Sequence, residues 1–326
     1  MIDFSSNIIN YTNLENLRRH LAEHLDCIHQ YPETEPVELE KLLAEKLEIP
    51  LECVMVTNGC TEAIYLLAQL FHGYSSIIPQ PTFPAYAAAC RIHHHTVSYE
   101  KTDELSHLPG ERLYWICNPN SPSGNVLMKG FLDYVVRRSK NYQFIVDQSY
   151  EHYTRAGVFV AKEVVDLSNL VLLHSMSKQY SIPGLRLGYV TACPAIIQRL
   201  RSIRQPWSVN ALAIEAGRWL LQNGQSCLPN LDDYLEEAER LRNELKKIKG
   251  IRMFETKSCF MLGQLNKVTA AELKQYLLSE HDMLIRDCSD FTGLKRYFFR
   301  VTAQTPKEND LLITAIKSYM EKTNNI

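Results

Sequence analysis

The chain has 326 residues, enough for about two domains at roughly 150 residues each, and it can bury a large core without disulfides. Hydrophobic residues make up 45% and charged residues 22%, which is typical of globular proteins. The 35 basic and 37 acidic residues leave a formal net charge of −2, which excludes a chain-wide attraction to nucleic acid or anionic membranes.

Cysteine usage and the N-terminal segment predict the compartment. The nine cysteines include no CxxC pair and no Cys/His spacing typical of structural zinc. The opening MIDFSSNIIN has no basic segment before an apolar core, and no apolar run reaches the roughly 18 residues of a membrane helix. We therefore expect a reduced, cytoplasmic protein with no membrane or nucleic-acid partner. The run from His93 to His95 is not expected to bind a metal, because adjacent side chains of a strand point to opposite faces.

The predicted elements begin with a polar, irregular stretch over residues 1–35. A helix is predicted after Pro36, where leucines from Leu39 to Leu47 share one face. Seven short apolar runs follow, with helical segments such as TEAIYLLAQLF and KGFLDYVVRRS between many of them. These runs are VMVTNG, SSIIPQP, TVSYE, RLYWICNP, QFIVDQ, LVLLHSMS and LRLGYVTA. Several are apolar on successive residues, which indicates strands buried on both faces of a mostly parallel sheet.

The pattern of predicted elements changes after Trp207. A long charged helix is predicted over NLDDYLEEAERLRNELKKIKG, followed by the strand FETKSCFMLGQL, a helix, the strands DMLIRDC and RYFFRVTA, and a terminal helix. The pattern predicts a doubly wound α/β domain over residues 36–205. The later elements predict a smaller α+β domain over residues 206–326, and we expect residues 1–35 to join it as an N-terminal arm, which periodicity does not show.

Candidate site residues follow the predicted strands, because open α/β sheets bind ligands at the carboxyl ends of their strands. NGCTEA follows VMVT and opens a helix, whose free amides favour a phosphate. A turn, CNPNSPSG, follows RLYWI, and QFIV is followed by Asp147 and Tyr150 in DQSY. LVLLH is followed by SMSK, which ends at Lys178, and Arg186 comes eight residues later in GLRLGY.

In this order and spacing, the four motifs resemble those of the pyridoxal-phosphate-dependent aminotransferases of classes I and II. The resemblance extends from about Asp3 to the C-terminus. It implies the aspartate-aminotransferase-like fold of type I, with a large domain around a mostly parallel seven-stranded sheet and a smaller α+β domain. It also implies pyridoxal 5'-phosphate as the cofactor, a small-molecule substrate and a homodimer.

The resemblance implies a role for each residue around the cofactor ring. Lys178 matches the lysine whose amine links to the cofactor, and Asp147 matches the carboxylate that faces the ring nitrogen. Tyr150 matches a hydrogen-bond donor to the ring oxygen. The family usually has asparagine directly before the P-[ST]-G turn. This chain has Ser121 there and Asn120 just upstream, so the second donor to the ring oxygen stays open between them.

The cofactor phosphate is expected to lie at the start of the helix that follows the first strand. The backbone amides of Cys60 and Thr61 match that helix N-terminus, and the thiol of Cys60 is assigned no role. Ser175, Ser177 and Arg186 match the family's other phosphate-binding positions. Five residues are therefore candidate phosphate ligands.

Two aromatic features complete the expected cofactor site. The motif PTFPAY offers Phe83 and Tyr86 for stacking on the ring, and Phe83 is favoured over Tyr86. Tyr31, in the motif YPE, resembles the family tyrosine that reaches the cofactor phosphate of the neighbouring subunit. That match implies that the two subunits of the dimer share their sites.

Substrate recognition is expected to depend on two arginines. Arg300 matches the family arginine that holds the substrate α-carboxylate. Arg286 is either an ordinary surface arginine or the arginine that holds a distal substrate phosphate in two branches of the family, the histidinol-phosphate aminotransferases and the L-threonine-O-3-phosphate decarboxylases of the cobalamin pathway. The stretch DFSSNIIN, which contains the candidate substrate-binding residue Asn7, looks closer to the decarboxylases, as do QPWSVNALA and RDCSDFTGL.

We therefore expect a pyridoxal-phosphate-dependent lyase that decarboxylates L-threonine O-3-phosphate in cobalamin biosynthesis. The alternative is an aminotransferase, such as one that uses histidinol phosphate and 2-oxoglutarate. It stays open because the choice of which bond to the α-carbon breaks depends on atomic geometry that a sequence does not define. A remote alternative is a non-catalytic, aminotransferase-like regulatory module. The sequence disfavours a regulatory module for two reasons. No DNA-binding helix-turn-helix segment is predicted, and the chain retains the residues expected of an active enzyme, which are Lys178, Asp147, Tyr150, Arg186 and Arg300.

Overall fold

A computed structural model describes residues 1–9, 12–101 and 112–324 of the chain. The helices are α1 (Glu15–Glu23), α2 (Val37–Leu47), α3 (Gly59–Leu70), α4 (Ala85–Ile92), α5 (Lys129–Arg138), α6 (Glu163–Asp166), α7 (Met176–Gln179), α8 (Pro194–Ile203), α9 (Ala211–Asn223), α10 (Leu231–Lys246), α11 (Ala270–His281) and α12 (Pro306–Asn324). The strands are β1 (Ile2–Asp3), β2 (Val54–Thr57), β3 (Ser75–Gln80), β4 (Thr96–Lys101), β5 (Arg112–Cys117), β6 (Tyr142–Asp147), β7 (Leu170–His174), β8 (Gly188–Ala192), β9 (Ile251–Met253), β10 (Phe260–Leu265), β11 (Met283–Leu284), β12 (Arg286–Asp287) and β13 (Phe298–Thr302).

The large domain is built around a seven-stranded sheet in the order β2-β8-β7-β6-β5-β3-β4. Strand β8 is antiparallel to both of its neighbours, and the other adjacent pairs are parallel. Every residue of β2, β7 and β8 is buried, as expected for strands covered by helices on both faces. The predicted fold class is confirmed, and all seven predicted apolar runs contain strands of this sheet.

The small domain contains an antiparallel sheet in the order β12-β13-β10-β9. The predicted single strand FETKSCFMLGQL is wrong in its bounds, because pairing begins only at Phe260 and a separate strand, β9, precedes it. The N-terminal arm joins this domain, since β1 pairs in parallel with β11. Phe4 and Ile9 of the arm are buried in the same hydrophobic cluster as α10, α11 and α12.

Packing differs from the predicted organisation in two places. The stretch expected to be irregular contains α1, whose Leu17 is buried in the core of the large domain. Helix α9 lies beyond the predicted domain boundary at residue 205, yet its Ala213 and Leu220 belong to that same core. Both segments pack on the large domain because α9 contacts α2 and α1 packs against α9.

Within the described ranges, no helix is long and apolar enough to cross a membrane. The nine cysteines are all free, and six of them are buried: Cys53, Cys90, Cys117, Cys227, Cys259 and Cys288. Burial raises the pKa of each of these thiols, so they are packed as small apolar groups rather than poised to react.

Candidate active site

A pocket lies where the carboxyl ends of β5, β6 and β7 meet strands β12 and β13 of the small domain. Ser6 of the N-terminal arm contributes to its wall. Most of the residues predicted from the sequence line this pocket: Cys60, Thr61, Phe83, Tyr86, Ser121, Asp147, Tyr150, Ser175, Ser177, Lys178, Arg186, Arg286 and Arg300. The fold thus brings the four motifs and both candidate substrate arginines together.

Lys178 is held on α7, a single helical turn directly after β7. The turn is capped by Ser175, whose hydroxyl oxygen accepts a hydrogen bond from the Lys178 amide at 3.3 Å. The side-chain amine donates to the backbone oxygen of Ser6 at 2.7 Å. Burial, together with the nearby Arg300 and Arg186, lowers the pKa of Lys178 to about 8. A sizeable fraction of the amine is therefore neutral, and nucleophilic, close to physiological pH.

Asp147 ends β6 and is buried, with both carboxylate oxygens engaged. Its Oδ1 accepts from the amide of Ser149 at 2.9 Å and from the hydroxyl of Ser149 at 2.6 Å. Its Oδ2 accepts from the hydroxyl of Tyr86 at 2.6 Å. Burial and the charge of Asp147 raise the pKa of Tyr86 well above its ordinary value, so Tyr86 stays a donor. These bonds fix the direction in which the carboxylate presents its charge.

An anion cradle, formed by Gly59, Cys60, Thr61, Ser175 and Arg186, lies at the N-terminus of α3. Gly59 has a φ of +73°, and a methyl group added to it would lie 2.7 Å from Nη2 of Arg186. Only glycine therefore lets the guanidinium approach the first amides of the helix. Helix dipole and guanidinium both favour negative charge at this point. Arg186 itself has a φ of +58°, an uncommon backbone conformation that places its side chain there.

The two predicted serines of the phosphate site differ in their hydrogen bonds. Ser175 accepts from the amide of Lys178, which leaves its hydroxyl proton for a ligand. Ser177 donates to the backbone oxygen of Leu187 and accepts from the amide of Leu187, both at 3.1 Å. Ser177 therefore ties α7 to the segment before β8, and Ser175 is the better placed donor.

The aromatic residues of the pocket also have distinct surroundings. Tyr86 is buried, stacks on Trp115 and donates to Asp147, whereas Phe83 is 39% exposed and meets Tyr86 edge to face. Both residues line the pocket, and Phe83 is the more exposed of the two. Burial raises the pKa of Tyr150 to about 12, although Arg300 opposes the shift, so its hydroxyl carries a proton that it can donate.

Arg300 is buried on β13 and its guanidinium has two partners. Nη1 donates to the hydroxyl of Ser121 at 2.8 Å, and Nη2 donates to the backbone oxygen of Ser5. Its Nε is buried without a partner among the described residues. Burial lowers the pKa of Arg300, but a guanidinium stays charged at neutral pH. This incompletely satisfied cation is suited to a carboxylate ligand.

Arg286 lies directly opposite Arg300 in the pairing of β12 with β13. Residues paired in this way project from the same face of a sheet, so both guanidinium groups reach one pocket. Arg286 donates to Asp290 at 2.6 Å and lies over the ring of Phe291. About a third of the Arg286 side chain is exposed, which leaves it open to a ligand from the pocket side.

Three predicted site residues do not line this pocket. Asn120 uses its side chain to tie its own turn to the segment after β3, because it accepts from Thr82 and donates to Pro81 and Ser123; Ser121 is the residue of this turn that lines the pocket. Asn7 is fully buried and accepts from Thr302, while its neighbour Ser6 lines the pocket. Tyr31 is 86% exposed and does not reach the pocket of its own chain.

Sequence reasoning missed several groups that the fold brings to the pocket. The backbone oxygens of Ser5 and Ser6 bind Arg300 and Lys178, and a main-chain contact of this kind leaves no sequence signal. Ser149 lies within the DQSY motif, at a strand end, and its position was a usable signal. Asp290 also had a sequence signal, because it follows Arg286 by four residues in RDCSDFTGL, a stretch that resembles the decarboxylases.

Comparison with known proteins agrees with this geometry. The family described as Aminotransferase class I and II matches residues 1–316. The crystal structure of L-threonine-O-3-phosphate decarboxylase from Porphyromonas gingivalis is 34% identical, with a TM-score of 0.96 over 98% of this chain and 100% of that one. The histidinol-phosphate aminotransferase structure from Clostridium acetobutylicum is 26% identical, with a TM-score of 0.87 over 100% of both chains. Threonine-phosphate decarboxylase of Salmonella typhimurium is 28% identical over 334 residues, covering 98% of this chain and 91% of that protein.

Proposed function

Because this chain belongs to the aminotransferase class I and II family, we propose that it is a pyridoxal-phosphate-dependent enzyme that decarboxylates L-threonine O-3-phosphate. The observation that carries the proposal is the pairing of Arg286 with Arg300, two cations on one face of a strand pair, in the pocket that contains Lys178. Similarity to proteins named for this activity supports the same assignment.

The anion cradle fits the cofactor phosphate. The space that a side chain at Gly59 would fill is taken by the guanidinium of Arg186, next to the amides of Cys60 and Thr61. Ser175 adds a hydroxyl donor. Phosphate groups are bound by this combination of helix N-terminus, arginine and hydroxyl in many unrelated folds.

The remaining residues fit the ring of the cofactor. When bound, pyridoxal phosphate supplies an electron sink for the pair left behind when a bond to the substrate α-carbon breaks. Asp147 would keep the ring nitrogen protonated, because its carboxylate is buried and aimed by Tyr86 and Ser149. Phe83 would cover the ring, and the protonated hydroxyl of Tyr150 would donate to the ring oxygen.

Lys178 has two tasks in the proposed reaction. Its amine would hold the cofactor, which the lowered pKa favours. With substrate in the pocket, the same amine would move protons at the α-carbon, as a general acid and base. In decarboxylation the bond from the α-carbon to the carboxylate breaks, carbon dioxide leaves, and a proton from Lys178 takes its place on the α-carbon.

Arg300 would hold the substrate α-carboxylate. Arg300 and Ser121 both line the pocket, the Nε of Arg300 has no partner among the described residues, and its two Nη groups donate to Ser121 and to the backbone oxygen of Ser5. A decarboxylase gains rate only from contacts that are stronger in the transition state than in the bound substrate. Sharing the guanidinium with Ser5 and Ser121 suits that requirement, because the carboxylate is oriented without an exclusive ion pair.

Arg286 would hold the distal phosphate. In the absence of substrate its charge is matched by Asp290, which a phosphate would replace as the partner of the guanidinium. The two arginines are direct neighbours across the strand pair, with Cβ atoms expected about 5 Å apart. O-phosphothreonine carries its carboxylate and phosphate on adjacent carbons, so the two anions suit two closely spaced cations.

Substituting Arg286 and Asp290 should have opposite effects. Arg286→Ala removes a charge-assisted contact worth about 1.5–3 kcal/mol, so kcat/KM for O-phosphothreonine should fall about ten- to a hundredfold. Asp290→Asn removes a competitor for the same guanidinium. Since an exposed pair contributes up to about 1 kcal/mol, KM for the phosphorylated substrate should fall by up to about fivefold. Steady-state kinetics measures both.

The matched control for these variants is an amino acid without phosphate. Neither substitution should change turnover of unphosphorylated threonine or its binding, because neither residue would contact that ligand. Equal losses on both substrates for Arg286→Ala would mean that the arginine is structural. An Asp290→Asn variant with a higher KM for the phosphorylated substrate would contradict competition between Asp290 and phosphate.

The second candidate activity is transamination of histidinol phosphate with 2-oxoglutarate, supported by similarity to aminotransferases that are named for histidinol phosphate. Histidinol phosphate has no α-carboxylate, so Arg300 would then serve only the second substrate. The deciding experiment incubates the cofactor-loaded protein with each substrate separately. Carbon dioxide release from O-phospho-L-threonine supports decarboxylation. Glutamate formation from histidinol phosphate and 2-oxoglutarate, without carbon dioxide release from O-phospho-L-threonine, would reverse the choice.

We also propose that the enzyme is a homodimer in which Tyr31 completes the cofactor site of the partner. The segment that carries Tyr31 is anchored to its own chain on both sides of the following turn. Glu33 pairs with Arg218, and Glu35 pairs with Arg201 at 2.6 Å. These ion pairs restrain the backbone next to Tyr31, and its exposed ring lies 5.4 Å from that of Trp207, which would lower the entropic cost of presenting it to a second subunit.

Mixing two inactive variants tests the shared site. Lys178→Ala and Tyr31→Ala each lack one part of the site, so each homodimer should be impaired. After the two are mixed and subunits exchange, half of the sites in each heterodimer contain both intact residues, and activity should partly return. Light scattering gives the oligomeric state of each preparation. A fully active monomer, or no recovery in proven heterodimers, would contradict the shared site.

The lowered pKa of Lys178 predicts how cofactor uptake depends on pH. Only the neutral amine attacks, so the attachment rate should rise about tenfold per pH unit and level off near pH 8. Stopped-flow absorbance after cofactor is added to the apoprotein measures this rate. A rate that still rises steeply between pH 9 and 10 would show that the amine keeps its ordinary pKa.

A further inference from the structure

We propose that His20, His24 and Glu215 form a binding site for a divalent transition-metal ion, with Zn²⁺ as the expected ion. One ring nitrogen from each histidine and one carboxylate oxygen of Glu215 all lie within 4.8 Å of one another. The ion would join helix α1 of the N-terminal arm to helix α9. This proposal is independent of the function proposed for the pocket, because none of the three residues lines it.

Helix geometry places the two histidines side by side. They are four residues apart, at the last turn and the C-cap of α1, and their ring centroids are 4.1 Å apart. Glu215 projects from α9, which packs against α1, and its Oε1 lies 2.7 Å from Nε2 of His20. The three ligands thus come from two helices that the fold already holds together.

A backbone contact orients the imidazole of His24 for metal binding. Its Nδ1 lies 2.8 Å from the backbone oxygen of His20. A carbonyl oxygen can only accept, so Nδ1 carries the proton and the neutral ring has its lone pair at Nε2. Metal-binding histidines are commonly oriented in this way, with the second ring nitrogen donating to a backbone carbonyl or carboxylate.

The ligand set matches the preferences of zinc. Two imidazoles and one carboxylate, with water in the fourth position, form a known type of tetrahedral zinc site. With bonds of about 2.0–2.2 Å, neighbouring ligand atoms of such a site lie about 3.4 Å apart. His20 and Glu215 would therefore separate by less than 1 Å beyond their present hydrogen bond to admit the ion.

The surroundings leave the site open to solvent and keep the carboxylate oriented. His24 is exposed, whereas His20 and Glu215 each keep 21% of their side chains exposed. Arg218 lies 4.0 Å from the other oxygen of Glu215 and is paired with Glu33, so its positive charge is shared between two carboxylates. An ion here would fasten the arm just before the segment that carries Tyr31, and would restrain that segment against the large domain.

The test is titration of the cofactor-loaded protein with Co²⁺ and Zn²⁺. Co²⁺ should bind at one ion per chain with the visible absorption of a tetrahedral nitrogen and oxygen site, and calorimetry should show Zn²⁺ binding with the same stoichiometry. His24→Ala and Glu215→Gln should each weaken binding at least about tenfold. Glu215→Gln keeps a side chain that can hydrogen bond to His20, so it tests the carboxylate ligand without unfolding the helix contact.

The control is His281→Ala, which removes an exposed histidine elsewhere and should leave binding unchanged. Zn²⁺ should also raise the melting temperature of the unsubstituted protein but not that of His24→Ala, because an ion stabilises only the state that binds it. Three results would overturn the proposal: no saturable binding, binding that survives both variants, or thiolate-to-cobalt absorption bands, which would assign the ion to cysteines.

Discussion

Replacing Lys178 with alanine should abolish turnover, with a loss of at least about 10⁴-fold in kcat. The substitution removes the amine that, in the proposed function, attaches the cofactor and moves protons at the α-carbon. Borohydride reduction followed by peptide mass spectrometry should find cofactor on Lys178 of the unsubstituted protein and on no lysine of the variant. The fold should survive, because among the described residues the amine has one hydrogen bond, to the backbone oxygen of Ser6.

The matched control is Lys41→Ala, which removes an exposed lysine of α2. That variant should keep both its activity and the reducible link at Lys178. Cofactor trapped on a different lysine in Lys178→Ala, with turnover retained, would show that another amine performs the attachment.

Asp147→Asn should lower kcat by about 10²- to 10⁴-fold. The charged carboxylate is replaced by a neutral amide that cannot keep the ring nitrogen protonated, and loss of one partner of a buried ion pair costs about 3–5 kcal/mol. The variant should still attach cofactor at Lys178, so borohydride trapping separates a defect in chemistry from a defect in binding.

Tyr86→Phe makes a smaller change at the same carboxylate, and its loss of kcat can be compared with that of Asp147→Asn. It removes only the donor to Oδ2 and leaves the charge and both bonds from Ser149. A hydrogen bond to a charged group contributes about 1.5–3 kcal/mol, so an orienting role predicts a loss of about ten- to a hundredfold at most. Equal losses in the two variants would mean that the direction of the carboxylate, and not its charge, limits the reaction.

The seven strands of the large sheet and most of the pocket were predictable from sequence. Strands such as β7 are continuous apolar runs that end in a polar motif, so one pattern indicates both the strand and the site at its carboxyl end. Lys178, Asp147 and Arg186 lie in such motifs, and all three line the pocket. Their roles stay predictions until the variants are measured.

Features that depend on contacts between residues distant in the sequence were harder to predict from the sequence. Helix α1 has leucines at helical spacing, but a mostly charged sequence around them concealed the signal until packing on α9 was known. The choice between Asn120 and Ser121 depended on which side of one turn faces the pocket. The backbone oxygens of Ser5 and Ser6 reach Arg300 and Lys178 because the arm is held by the pairing of β1 with β11 and by the bond from the Thr302 amide to the Phe4 oxygen.

The register of β12 against β13 has a consequence for the length of substrate that the proposed function allows. If Arg286 and Arg300 hold the phosphate and the carboxylate as proposed, the spacing of the sheet would act as a ruler between these two groups. A shift of one residue would turn an arginine to the opposite face, so this ruler can lengthen only in steps of two residues, about 7 Å. Finer adjustment of reach must come from the loop after β12, which carries Asp290 and Phe291. Engineering for slightly longer substrates should therefore start in that loop and leave both strands unchanged.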